Sequence, residues 1–362
     1  MNPLARLLRR RIERGGPISL AEYMALALGH PEYGYYRTHD PLGAAGDFTT
    51  APEISQIFGE LLGGWCAVVW EAMGSPAPVL LVELGPGRGT LMGDALRVAR
   101  LKTGFEAAVR LHLVETNETL RRAQQKALAA FQPTFHNTFA DLPEGPLLLL
   151  ANEFFDALPV RQFERTAGGF RERLVTFSEA DSTFRFTLAK GMTPPQQIPA
   201  RLHACAPGSV VEISLPALSL AHEIGRRVAA FGGAALALDY GSDLSKPGAT
   251  FQSVREHRRH DPLDRPGEAD LSAHADFESL AEAARQAGAR ATAILPQGLF
   301  LERLGMHARA EHLIARADDE AAERIRTACR RLIAAEEMGT LFRALAIAHP
   351  DLTTLPGFDD GA

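Results

Sequence analysis

Five of the six residues in Val79-Leu80-Leu81-Val82-Glu83-Leu84 are apolar, and the run opens directly into Gly85-Pro86-Gly87-Arg88-Gly89, followed by Thr90 and Leu91. Such a run suits a strand buried on both faces. The glycines remove the Cβ atoms that would block a sharp turn or a ligand lying against the backbone. Strand, glycine turn and helix in that order commit the chain to an α/β fold with a nucleotide-type ligand at the turn. The spacing of the glycines then narrows the ligand. Dinucleotide sites use G-x-G-x-x-G and rest a pyrophosphate on the helix N-terminus. Here the third glycine comes one residue early, Thr90 stands in its place, and Glu83 sets a negative charge two residues before the first glycine. A cationic ligand is expected rather than a diphosphate, and a packing turn with incidental glycines is the alternative.

At 362 residues the chain can form two domains, or one domain with a large elaboration. With 46% hydrophobic and 23% charged residues it reads as an ordinary globular protein. No apolar run approaches the roughly 18 residues of a spanning helix, so no membrane span is expected. A net charge of −6 offers no general attraction to phosphate backbones, which argues against a nucleic-acid partner. Cys66, Cys205 and Cys329 are widely separated and lack metal-ligand spacing. They read as reduced, buried, inert thiols in a cytosolic compartment, with no metal site. Lys102, Lys126, Lys190 and Lys246 are the only lysines beside many arginines, a bias that looks like the coding of a GC-rich bacterium. A bacterial cytoplasmic location is expected. Arg6, Arg9, Arg10, Arg11 and Arg14 among Leu4, Leu7, Leu8 and Ile12 suggest an amphipathic first helix, docked or solvated. A targeting segment is disfavoured by Glu13 and by the absence of serine before Ser19.

Ile18 to Leu28 reads as a short helix, and Tyr33, Tyr35 and Tyr36 cluster around Gly34. Thr50-Ala51-Pro52-Glu53 has the form of a capping box, and Ile54, Phe58, Leu61, Leu62, Trp65 and Val69 extend a helix to about Met73. Gly59, Gly63 and Gly64 within it each cost about 1 kcal/mol relative to alanine, so close packing is expected at all three. Beyond Val79 the pattern alternates. Helix Leu91 to Arg100, strand Arg110 to Glu115, helix Glu118 to Phe131 and strand Leu147 to Ala151 imply a parallel sheet. The last of these runs ends abruptly in Asn152-Glu153-Phe154-Phe155-Asp156, at the strand end where open sheets keep their ligands. Alternation near Thr183 to Leu188 suggests inserted antiparallel hairpins. Gly232 to Gly241 is another buried strand, ending in Asp239; Asp276 to Gln286 is a helix closed by Gly288; and His307 to His349 reads as largely helical.

Five segments together carry a resemblance that covers nearly the whole chain, from about Ile18 to Phe342. They are Gly46 to Glu60, Glu83 to Leu91, Ala151 to Pro159, Leu238 to Gly241 and Asp270 to Phe277. The chain resembles the MidA-type methyltransferases, whose mitochondrial members are protein arginine methyltransferases acting in assembly of respiratory complex I. Ser272 and Ala275 stand where that family generally has threonine and valine. The resemblance implies a class I methyltransferase (Rossmann-like) doubly wound α/β sheet with an N-terminal helical module and inserted β-hairpins. Boundaries are expected at 1–75 for the helical module, 76–305 for the core with hairpins at about 163–190, and 306–362 for a C-terminal helical segment. It also implies S-adenosyl-L-methionine as cofactor and a protein substrate, with a respiratory complex I subunit as the implied partner. A cofactor-binding assembly factor with little turnover and a methyltransferase for a small-molecule acceptor remain alternatives.

In that frame Glu83, Gly85, Gly87 and Gly89 should hold the methionine end of the cofactor, unless Glu83 is ion-paired to a helix. Glu115 should accept from the ribose hydroxyls, or else be a solvated strand-end carboxylate. Asp141 could meet the adenine amino group. A guanidinium is protonated in water and must approach a positive sulfonium, so carboxylates are needed to pair with it and localise its charge. Glu153 and Asp156 are the first candidates for that catalytic pair, with Asn152 orienting the acceptor; Asn152-Glu153 as a helix cap is the alternative. Asp47 with Phe48, the three tyrosines and His274 are candidates for the lid and acceptor pocket.

Overall fold

A computed structural model describes residues 1–38, 50–255 and 258–358. The chain divides into two compact units, one of Met1–Phe48, Asp156–Leu218 and Leu244–Ala275, the other of Thr49–Phe155, Ser219–Asp243 and Asp276–Ala362. The division therefore does not fall at residues 75 and 305. The apolar faces of helices Pro3–Gly15 and Leu20–Gly29 cannot be buried by each other alone. Leu4, Leu8, Tyr23 and Met24 share a core with Val175 and Leu271, which come from the inserted segments. The basic first helix is thus docked, with Asn2 capping it by accepting from the Ala5 amide at 2.8 Å.

The inserted segment is antiparallel, as its alternation implies. Arg161–Thr166 and Gly169–Ser178 form one hairpin, and Thr183–Leu188 continues it; Val210–Ile213 and the short Ile18–Ser19 pair at the flanks. Phe163, Phe170, Val211 and Ile213 supply a second small core in this unit.

The other unit holds the main sheet. Its six longest strands are β1 (Val79–Leu84), β2 (Val109–Val114), β3 (Thr134–His136), β4 (Leu147–Asn152), β5 (Gly233–Ser242) and β6 (Phe342–Ala348). They lie in the order β3-β2-β1-β4-β5-β6, parallel from β1 to β5, with β6 antiparallel on β5. Strand order reverses between β1 and β4, the point at which open α/β sheets bind ligands beyond their carboxyl ends. All six residues of β1 are buried, which explains its almost unbroken apolar run.

β6 corrects the expectation of helix through His349. Ala344, Ala346 and Ala348 suit a helix by propensity, yet five residues of this strand are buried and it pairs along Ala234 to Tyr240 of β5. Ladder bonds to β5 on one side and to Arg290–Ala291 and Leu295–Pro296 on the other outweigh local preference. The helix expected from Thr50 to about Met73 is also broken. It runs Ala51–Ile54 and then Gln56–Ala72, and the Thr50 side chain makes no capping bond. Glu53 is otherwise engaged, its Oε1 accepting from Thr90 Oγ1 at 2.7 Å, so the box cannot close; Ser55 caps the second helix instead.

Two of the three glycines in Gln56–Ala72 are points of close approach. A Cβ on Gly59 would lie 2.6 Å from the Asp94 Cβ, and one on Gly63 would overlap the Ala95 carbonyl of helix Thr90–Ala99; Gly64 has nothing within 4 Å. Buried Glu60, between them, accepts from Arg97 at 3.0 Å and from Arg309 at 2.7 Å. Cys66 and Cys329 are buried, but Cys205 is half-exposed, so the expectation of three buried thiols fails at that position. Among the described residues no metal-binding cluster is present and no helix is long and apolar enough to cross a membrane.

The glycines separate in a stability measurement. Gly63→Ala should lower unfolding free energy by about 1–3 kcal/mol through overpacking, whereas Gly64→Ala should raise it by up to about 1 kcal/mol through helix propensity. Urea unfolding of the two variants checks this, and equal effects would contradict the assigned packing.

Candidate functional site

The glycine turn leaves β1 in a conformation other residues rarely adopt. Gly85, Gly87 and Gly89 have φ of +61°, +54° and +83°. Alternate left-handed residues bring the chain round within five positions, and the turn is tied by Gly85 N to Val114 O at 3.0 Å and Gly89 N to Pro86 O at 2.7 Å. Helix Thr90–Ala99 starts immediately afterwards.

Glu83 points from β1 beside this turn and is 3% exposed. Its Oε2 is buried without a hydrogen-bond partner, and among the described residues it forms no ion pair, which removes the alternative of a helix ion pair. Burial alone pushes its carboxyl up to about 8. A carboxylate held so is costly unless a cationic group joins it.

On the neighbouring strand Glu115 follows β2 directly. Its Oε1 accepts from the Asn117 amide at 2.7 Å and its Oε2 from Gln124 Nε2 at 3.3 Å. Burial raises its pKa, opposed by those donors, so it is not the solvated strand-end carboxylate of the alternative reading. Gln124 also donates to Gly87 O at 2.7 Å. It therefore ties the glycine turn to the acid on β2, a role missed in the sequence. The signal was present, because Leu120, Gln124 and Leu128 form one buried stripe of helix Glu118–Ala127 and its extension, with a polar residue at its centre. Asp141 lies after β3 on the exposed surface. Its Oδ2 accepts from Thr138 N at 2.9 Å and closes a short turn over Phe139–Asp141, a bond that lowers its pKa.

Asn152 ends β4, and no helix follows it, so the helix-cap reading fails. Its Nδ2 donates to Glu153 Oε1 at 3.2 Å, while its Oδ1 is buried without a partner. Glu153 Oε1 also accepts from the Ala51 amide at 2.9 Å. Glu153 adopts φ +49°, a left-handed conformation that costs a non-glycine residue on the order of 1–3 kcal/mol. Its pKa is raised by burial, offset by the two hydrogen bonds and by the charge of Arg331. Arg331 and Glu53 line a cavity of about 480 Å³ in the same unit. A second cavity, of about 560 Å³, lies at the amino ends of β1 to β3, lined by Leu80, Arg110 and Thr134, the opposite edge of the sheet from the turn.

Asp156 belongs to the other unit, where its carbonyl accepts from Ala273 N at 2.9 Å. There Tyr36 donates to Asp270 Oδ1 at 2.9 Å, and its phenol is raised by burial and by the charges of Asp270 and Asp156. Tyr35 is buried, Tyr33 stacks on His30 at 5.1 Å, and the His274 amide donates to Thr250 Oγ1 at 2.8 Å. Asp47 and Phe48 fall outside the described residues.

Sheet order, glycine turn and acids at the carboxyl ends of β1 and β2 define a class I methyltransferase fold with a nucleoside-type site. Residues 61–295 match the model of Methyltransf_28, a family of S-adenosyl-L-methionine-dependent methyltransferases. The chain is 38% identical over 391 residues to the mitochondrial NDUFAF7 homolog of Drosophila melanogaster, a protein arginine methyltransferase, covering 98% of this chain and 88% of that one. It is 38% identical over 344 residues to the human mitochondrial protein arginine methyltransferase NDUFAF7, covering 88% and 77%. A crystal structure from Burkholderia thailandensis bound to S-adenosyl-homocysteine is similar with a TM-score of 0.85 and 28% identity, over 99% of this chain and 95% of that one. The chain belongs to this S-adenosyl-L-methionine-dependent methyltransferase family. The expected bacterial cytoplasmic location does not stand, since these curated relatives are mitochondrial. Free thiols report a reducing surrounding and arginine bias reports a genome's composition; neither is an address.

The raised carboxyl of Glu83 has a measurable consequence. Below pH 4.5 it is protonated in folded and unfolded chains alike; between there and about 8 only the unfolded chain ionises. Stability of the ligand-free protein should fall by several kcal/mol at most across that window and then level off. Glu83→Gln should flatten this part of the pH profile of the thermal midpoint, and an unaltered profile would show that Glu83 is ionised in the folded state.

Proposed function

We propose that this protein transfers methyl groups from S-adenosyl-L-methionine to arginine guanidinium nitrogens of a partner protein. The carrying observation is the lone buried carboxylate of Glu83 beside a turn of left-handed glycines. The cofactor's α-ammonium is the cation that this carboxylate lacks, and the glycine turn leaves its backbone open to a ligand. Glu115, fixed by Asn117 and Gln124, is oriented to receive ribose hydroxyls, and Asp141 is the candidate for the adenine amino group. These residues fit a sulfonium nucleoside better than a diphosphate, which Glu83 would repel.

When bound, S-adenosyl-L-methionine supplies a methyl group on a positively charged sulfur. The acceptor must be held in line with that methyl, and its own charge must be drawn away from the attacking nitrogen. Glu153 is the group for this, its Oε1 fixed by Ala51 and Asn152 so that the carboxylate faces the guanidinium in one orientation. The orphaned Oδ1 of Asn152 is suited to accept a guanidinium N–H. As the nitrogen gains a methyl it gives up one proton, and a carboxylate whose pKa is already raised is able to take it. Asp156 and Asp47 are the further catalytic candidates that the resemblance offers. The arginine acceptor is supported by the activity named for the relatives, and a respiratory complex I subunit is the partner to test first.

Gly87→Val should abolish S-adenosyl-L-methionine binding by calorimetry, because a β-branched residue cannot hold φ +54°. Glu153→Gln should retain cofactor binding within about threefold yet lose about 100-fold or more of transfer, the scale of general acid-base contributions. The readout is label from tritiated S-adenosyl-L-methionine in complex I purified from a strain lacking the gene. Undiminished labelling by Glu153→Gln would remove that residue from the reaction.

A further inference from the structure

Glu153 is strained, and the residue that holds it there is Asp239. This aspartate is fully buried on β5, one position beyond the pairing of Leu238 with Asn152. Its Oδ2 accepts from the amides of Phe154 at 2.9 Å and Phe155 at 2.7 Å, and its Oδ1 accepts from its neighbour Tyr240 at 2.7 Å. The Glu153 amide donates to Leu238 O at 2.9 Å. Three successive amides of the loop after β4 are thereby anchored to two successive residues of β5. Consecutive amides gathered around one anion make the kind of concavity that backbone forms when a residue turns left-handed.

Charge-assisted bonds to backbone amides are strong, and removing their acceptor leaves three amide donors unsatisfied. That is enough to offset the left-handed strain at Glu153. The same loop presses toward the glycine turn, since a Cβ on Gly85 would lie 3.0 Å from the Phe154 ring. One buried carboxylate thus sets the backbone from which the Glu153 side chain departs and the ring that borders the cofactor turn.

We propose that Asp239 is a positioning residue for methyl transfer, acting through the Glu153 loop. This rests on the reading of Glu153 as the acceptor-binding carboxylate. Asparagine at this position keeps shape and one acceptor but turns an N–H toward an amide N–H. A displacement of about 1 Å in a reacting group is sufficient to cost about 100-fold in rate. Asp239→Asn should therefore lower kcat for labelling of complex I from the gene-deleted strain by about 100-fold, with the Kd for S-adenosyl-L-methionine changed less than threefold. Combined with Glu153→Gln, it should add little, because both act on one carboxylate.

Independent, multiplying losses in the double variant would overturn the proposal, as would full activity of Asp239→Asn. If Glu153→Gln alone is fully active, the acceptor assignment fails. In that case the holding role is read by stability: the drop in thermal midpoint caused by Asp239→Asn should be larger in a Glu153→Gly background, where the released loop has no left-handed strain to recover. An equal drop in both backgrounds would overturn it. Should Asp239→Asn not fold, amide exchange in the native protein decides: Phe154 and Phe155 should exchange at least about 100-fold slower than an open loop, and exchange at loop rates would sink the proposal.

Discussion

A carboxylate sealed at the end of a doubly buried strand, with no cation paired to it among the described residues, is the constraint around which the sheet unit is arranged. Glu83 carries a desolvation cost that no described residue relieves. Proteins seldom retain such a cost without a ligand to remove it. The strand is held in place by parallel neighbours on both sides, Leu113 on β2 and Leu150 on β4, so the acid cannot move to water. The cofactor expected for the family supplies the opposite charge, and membership in the family agrees with that reading.

A second tier of contacts organises what surrounds this acid. Gln124 spans from the Gly87 carbonyl to Glu115, and Asp239 gathers the amides that follow Glu153. Both are buried polar residues, Gln124 between Leu120 and Leu128 on an otherwise largely polar helix and Asp239 on a largely apolar strand, and both spend their hydrogen bonds on backbone or on a site acid. Rigid support of this kind is what keeps reacting groups within the narrow tolerance that a displacement at carbon demands. The helix pair Gln56–Ala72 and Thr90–Ala99, brought close at Gly59 and Gly63, fixes the helix that starts at the turn.

Some of this was legible in the chain. The run from Val79 to Thr90 specified strand, turn and helix because burial pattern and glycine position act over a few residues, and the placement of Asn152 and Glu153 at a strand end followed from the same logic. The break at Ser55 was not legible. The Thr50-to-Glu53 pattern meets the local rule for a cap, but Glu53 is drawn to Thr90, 37 positions away. The strand at Phe342–Ala348 was hidden for a similar reason, as alanine-rich segments prefer helix until a sheet edge offers them a ladder. Gly64 shows the limit from the other side, sharing a helix and a composition with Gly63 but meeting nothing.

Local chemistry in the sequence determined the α/β class, the glycine turn and the acids near it, because each depends on side chains only a few positions apart. Tertiary structure alone decided which acids lack partners and which residues hold them. Left-handed φ at Glu153, the orphaned Oδ1 of Asn152 and the amide anchoring by Asp239 arise from strands distant in sequence and adjacent in space. Hydrogen bonds to such neighbours depend on ångström distances that no spacing along the chain encodes.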